Sequence, residues 1–278
     1  GENSQVASAT GSNQFIIGMG GSKWICGDSN FNIYDKNGTL IAAGFSHDAE
    51  ENLYAGLDAG AASDSDTYLN VALGTRAGKS LNAGDGNIML GTHAGCATTS
   101  GNYNVFIGNY AGQCNTTKCG NVMIGDCAGK SGEQHISVHI GYSAGRGVVG
   151  CTSAENVFVG CKSGFSIQTG SLNAFLGGTS GQNITTGQCN AVLGAKAAMA
   201  LNTGSQNTFL GSYSGHCFTS GNHNVAIGFC AQVASTTGSK QLTIGCGTGY
   251  WLRGDSSFNV CSSGSVSDSK GDLRKIII

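Results

Sequence analysis

Twelve cysteines and six histidines are the side chains in this sequence with most chemistry to offer. Cysteines could close disulfides, and C-x-x-C pairs could hold zinc. No C-x-x-C pair occurs, Cys114 and Cys119 being the nearest two. Cys114 and Cys217, Cys127 and Cys230, and Cys161 and Cys246 match in position only across widely separated stretches, too far apart to bond. Most cysteines are therefore expected to serve as small apolar residues in a core or in turns, with a cross-turn or interchain bridge left open. His135 and His139 are four apart, but in a strand-and-loop pattern that does not put them on one helical face. At an oligomer axis, copies of His139 could converge on a metal or an anion; a hydrogen-bonded interface histidine is the plainer expectation. His47 with Asp48, Glu50 and Glu51 is the densest acidic cluster, read as a solvated loop, with calcium as the alternative.

Serine, histidine and aspartate are plentiful, yet no G-x-S-x-G follows a strand and no acid–base pair recurs at a fixed position. Carboxylates are sparse and lie mostly towards the ends, against a paired-carboxylate glycosidase. The chain is read as no enzyme, with no catalytic, cofactor or metal site expected. Arg253-Gly254-Asp255 is an integrin-type tripeptide, read as a chance match, and Asn37, Asn115 and Asn183 open glycosylation sequons.

Composition narrows the rest. Of 278 residues, 40% are hydrophobic but only 11% charged, with 47 glycines, no proline and a formal net charge of −2. A core can be buried, while a basic nucleic-acid surface is excluded. No apolar run approaches the roughly 20 residues of a membrane-spanning helix, and the first residues lack the charged region of a leader, so a soluble, processed chain is expected. Glycine without proline is not collagen, and a flexible linker would not hold so much Val, Ile, Leu and Phe. What remains is a repeat.

Its unit is about 17 residues, starting at Leu53, Val71, Ile88, Val105, Val122, Val138, Val157, Ala174, Ala191, Thr208, Val225 and Leu242. The third position is aliphatic in nearly every unit, the fourth is glycine from Gly56 to Gly245, and a small residue recurs at the seventh. An asparagine opens most units. Short strands with tight glycine corners predict an all-β fold, a parallel β-solenoid of about twelve 17-residue coils, each with two strands, because one coil cannot cover its own apolar face. Ile107, Ile124, Ile140, Leu176, Leu210 and Ile227 are expected to stack as the core, Gly108, Gly125, Gly177 and Gly211 to form corners without room for a side chain, and the asparagines to bond along the stack. The second position alternates with these and carries Phe106, Met123, Phe158, Phe175 and Phe209, expected to point outward as a stripe. Either loops cover that stripe or three chains pack it into a homotrimer, and the trimer is the favoured expectation.

The segments Asn104-Val-Phe-Ile-Gly-Asn-Tyr-Ala-Gly112 and Asn224-Val-Ala-Ile-Gly228, with Thr-Thr-Gly between strands, resemble the N-V-A-I-G-x-x-A-G…T-T-G repeats of phage and viral tail-fibre proteins. They are also similar to the shorter head repeats of trimeric autotransporter adhesins. The resemblance runs over residues 52 to 260. It implies a homotrimeric, left-handed parallel β-roll at the tip of an attachment device, on a virion surface or otherwise extracellular. No individual binding residue carries over.

Three regions follow: 1–51 as a cap holding an Asn37-Gly38 hairpin, 52–260 as the solenoid, and 261–278 as a connector or terminal strand. Ser267-Asp268 with the basic residues after it is similar to the junction at which some phage fibres join a self-cleaving chaperone domain. The functional expectation is an attachment fibre that displays loops to a host receptor, a glycan above all. The alternative is a self-assembling filament subunit without a ligand, joined through the apolar ends Phe15-Ile17 and Ile276-Ile278. An ice-binding face is a distant third, because threonines alternate with bulky residues.

Overall fold

The computed structural model describes residues 48–263 apart from residue 248, together with the backbone of four strands between residues 15 and 42. No helix occurs among them. Strands Phe15–Met19, Ser22–Gly27, Ile33–Asp35 and Leu40–Ala42 form an antiparallel sheet, the last two flanking Asn37-Gly38. The proposed junction after Ser267, the Ile276-Ile278 end, His47 and the Asn37 sequon lie outside the described residues.

From Leu53 onward the chain is a parallel β-solenoid of about eleven turns of about 17 residues. One strand per turn, three residues long in all but the last, pairs in register with its equivalents: Val105 beside Val122, Phe106 beside Met123, Ile107 beside Ile124. The two strands per coil expected from sequence reduce to one, and the return path is made of turns. Among the described coils a second ladder occurs in one place, where Glu133–His135 pairs with Thr152–Ala154. There the spacing departs from the rule, with 16 residues from Val122 to Val138 and 19 from Val138 to Val157.

The two sides of the strand are the reverse of the sequence expectation. Phe106, Met123, Phe158, Phe175 and Phe209 are completely buried in their own coils, so they are no oligomer stripe. Ile107, Ile124, Leu210 and Ile227 are half-buried on the outside, and Ile140 and Leu176 are exposed, so these six are not the core. Parity explains the reversal. The asparagine before each strand points inward, strand side chains alternate, and the second position must therefore follow it in while the first and third face out. The interior suits large rings because the eighth residue of most units is a left-handed glycine. A Cβ on Gly112 would lie 2.6 Å from the Phe106 ring, and one on Gly164 2.6 Å from the Phe158 ring. In two coils with a smaller second position the glycine is replaced, Ala198 accompanying Val192 and Gln232 accompanying Ala226, whereas Gly78 is kept beside Ala72. Buried residues of the seventh position, such as Ala111 and Ser180, and of the eleventh, such as Leu81, Ile167, Ile184, Leu201 and Phe218, complete the core.

Corner glycines Gly108, Gly125, Gly177 and Gly211 have φ between +125° and +141°, a region that side chains avoid. A Cβ on Gly108 would stand 2.5 Å from the carbonyl oxygen of Gly125 in the next coil.

The inward asparagines form a continuous amide ladder. Asn87 Oδ1 accepts from the Asn104 backbone N–H at 2.9 Å and from Asn104 Nδ2 at 3.1 Å, while Asn104 Nδ2 also donates to the Lys118 carbonyl. The pattern runs from Asn52 to Asn224, with Ser137 standing in at the irregular coil. Such a network stabilises only because each member is satisfied. At the N-terminal end Asp48 takes the acceptor role towards Asn52, and at the far end Gln241 bonds Asn224 and turns its own oxygen to the Ser235 N–H. The parallel order stops when Leu242–Cys246 pairs antiparallel with Gly249–Gly254, which pairs antiparallel with Val260–Ser262.

Candidate functional site

One strand face of the solenoid looks outward, and it is apolar. From Val71 to Ile244 the first and third positions are aliphatic or alanine at every coil except for Thr208. Leu193 is 52% exposed, Leu176 42% and Ile88 39%. Eleven such strands at about 4.8 Å spacing and three residues of about 3.3 Å make a strip of roughly 500 Å² in projection. That reaches the size at which apolar patches on soluble proteins mark interaction sites.

The chemistry-bearing residues do not converge. His139 sits at a second position, stacked on Phe158 at 5.0 Å between rings, and is wholly buried in its own coil rather than at an oligomer axis. Neither ring nitrogen has a hydrogen-bond partner, and desolvation pushes its pKa down to about 3. His135 is exposed on the separate short ladder. The eleven described cysteines are all free and each is half-buried or exposed, none in the core; Cys246 and Cys261 lie on the terminal strands and the others outside the strands. Burial nonetheless pushes the thiols of Cys96, Cys114 and Cys127 above their usual range. Among the described residues no group of three or more His, Cys, Asp or Glu is placed to hold a metal.

Asp48, from the acidic cluster, accepts from the backbone N–H groups of Glu50 and Asn52, which gives it a structural use. Asp255 makes the same loop: it accepts from Asn259 Nδ2 and from the N–H groups of Asn259 and Ser257, which hold its carboxyl below the usual range. Its neighbour Arg253 lies over the Tyr250 ring at 4.4 Å. The Arg253-Gly254-Asp255 tripeptide is thus tied into the end of the sheet. Of the sequons, Asn115 is fully buried and Asn183 exposed.

On the turn side of the irregular coil an open groove of about 580 Å³ is bordered by Arg146, Val148, Val149, Phe165, Gln168 and Asn183. The guanidinium of Arg146 lies 5.4 Å from the Phe165 ring centre, and its Nε is buried without a partner. Sequence reasoning missed this groove, though the 19-residue step was its visible sign. Against known proteins, the chain matches no family model, no curated protein and no solved structure.

Proposed function

We propose that the protein is the shaft or head of a trimeric attachment fibre, a stiff rod that assembles by packing the outward sheet face of each chain against two others. The observation that carries the reading is that face: an aliphatic strip, broken only by Thr208 between Val71 and Ile244, along about 50 Å of solenoid, on a chain whose core is already filled by its second-position side chains. At about 25 cal/mol per Å², covering a strip of some 500 Å² contributes on the order of 10 kcal/mol per chain before the cost of association. Three narrow faces close around an axis and leave none open, whereas two leave their flanks in water. The turns then point outward, where receptor-binding loops belong.

Sedimentation equilibrium tests the assembly. A mass of three chains supports it; a 28.1 kDa monomer at micromolar concentration rejects it, and a dimer rejects the symmetry. Electron microscopy separates discrete rods from the indefinite polymers of a filament subunit.

A further inference from the structure

We infer that the groove beside the irregular coil binds an acidic saccharide, with the carboxylate or sulfate on Arg146 and the hydroxyls on Gln168 and Asn183. The inference names the ligand class for the attachment reading and rests on it for biological meaning, though not for its chemistry. Four observations converge. The chain leaves its 17-residue rhythm here, with Val148 and Val149 exposed on the rim. Arg146 is a cation without a counter-ion: the ion pairs among the described residues are those of Asp58 with Arg76 and Lys79. The stacked Phe165 ring fixes the guanidinium in place without neutralising it, and the planar fork suits a carboxylate or sulfate in two-point contact. The side-chain amides of Gln168 and Asn183 make no hydrogen bond to any described residue, so both keep donors and acceptors for hydroxyls.

The volume falls in the range of small-molecule sites. The shape is open, and its surface is largely apolar, from Val148, Val149 and the Phe165 ring, with Arg146, Gln168 and Asn183 as separate polar points; this suits a sugar whose C–H face lies on the apolar wall while its substituents meet the polar groups. None of the bordering residues belongs to the outward sheet face, so fibre assembly leaves the groove accessible.

The test is calorimetric titration of the intact protein with a sialylated oligosaccharide, an oligogalacturonate, a sulfated oligosaccharide, a neutral maltooligosaccharide, an oligoglutamate peptide and sodium sulfate. At least one acidic saccharide is expected to bind and the neutral one not. Carboxylated and sulfated probes distinguish the two anion sources. Arg146→Gln should weaken binding at least tenfold. Asn183→Ala, on an exposed residue, should weaken it severalfold with an unchanged melting curve, so the idea stays testable if Arg146→Gln misfolds. No saccharide binding up to about 10 mM, binding insensitive to both variants, equal binding of inorganic sulfate, or preference for the peptide would each overturn the assignment. Mass measured on the same sample keeps the two proposals apart: a trimer that binds no saccharide sinks the groove alone, and a monomer that binds sinks the trimer alone.

Discussion

Replacing His139 with phenylalanine should stabilise the protein, and more so in acid. His139 occupies a second position between Met123 and Phe158, where other coils carry Phe106, Phe175 and Phe209, and Gly145 lies beneath it as Gly164 lies beneath Phe158. A phenyl ring therefore fits the site. At neutral pH the imidazole is uncharged but leaves both nitrogens unpaired in a dry core. An unsatisfied buried group costs about 1–3 kcal/mol, so removing them should raise stability by roughly that amount after some loss to tighter packing. The acid term has a definite sign. The folded pKa of about 3 lies below the ordinary 6.5, so between those values the unfolded chain binds a proton that the native chain refuses, and stability falls as pH falls. The slope is about 1.4 kcal/mol per pH unit, on the order of 5 kcal/mol per chain over the whole interval. Urea denaturation of both proteins at pH 7.0 and 4.5 reads it, the remaining carboxylates being common to both. The advantage of His139→Phe should widen by about 3 kcal/mol between these conditions. Equal pH dependence in the two proteins would refute the burial of His139, as would an imidazole resonance that titrates near pH 6.

Four other outcomes are expected. Leu176→Lys with Leu193→Lys places two charges on the outward face, and should reduce the sedimenting mass to that of one chain while leaving circular dichroism unchanged. Gly125→Val should lower the melting midpoint sharply, since its φ is +131° and a Cβ would meet the Gly141 carbonyl oxygen at 2.6 Å. Asn121→Ala leaves the Ser137 N–H without its acceptor and takes one of two donors from Asn104 Oδ1 and from the Gln134 carbonyl, a loss of about 1–3 kcal/mol by denaturant titration. Val192→Phe should destabilise through collision with Ala198, and adding Ala198→Gly should restore most of the loss; a double-mutant cycle without coupling would break the link between ring and glycine.

The repeat, its length and its corners were legible because glycine and asparagine recur at fixed offsets for reasons of backbone geometry. The side of the strand was not. A three-residue strand with aliphatics at both ends and a ring between offers two apolar faces, and hydrophobicity alone does not choose between them. The asparagine before the strand does choose: the amides expected to bond along the stack do so from inside the coil, and parity then sends Phe106 inward and Val105 and Ile107 outward. The eleventh-position residues Ile167, Ile184 and Leu201 were hidden for another reason: each lies in the turns, outside any strand, and shows no local periodicity. Arg146 and Phe165 meet only because adjacent coils stack, a contact between residues that single-coil reasoning keeps apart.

The amide ladder has a direction. In the regular coils each asparagine oxygen faces the following coil and receives two donors from it, Asn121 receiving one, from Ser137, so the ladder presents acceptors on one side and donors on the other. A cut between any two regular coils therefore creates ends that are complementary to each other and, by translation, to the ends of every other severed copy. Such fragments would polymerise head to tail. The ends of the described ladder are marked by residues that break the translation: Asp48, whose carboxylate supplies the acceptors for Asn52, and Gln241, whose longer side chain folds its oxygen back on Ser235.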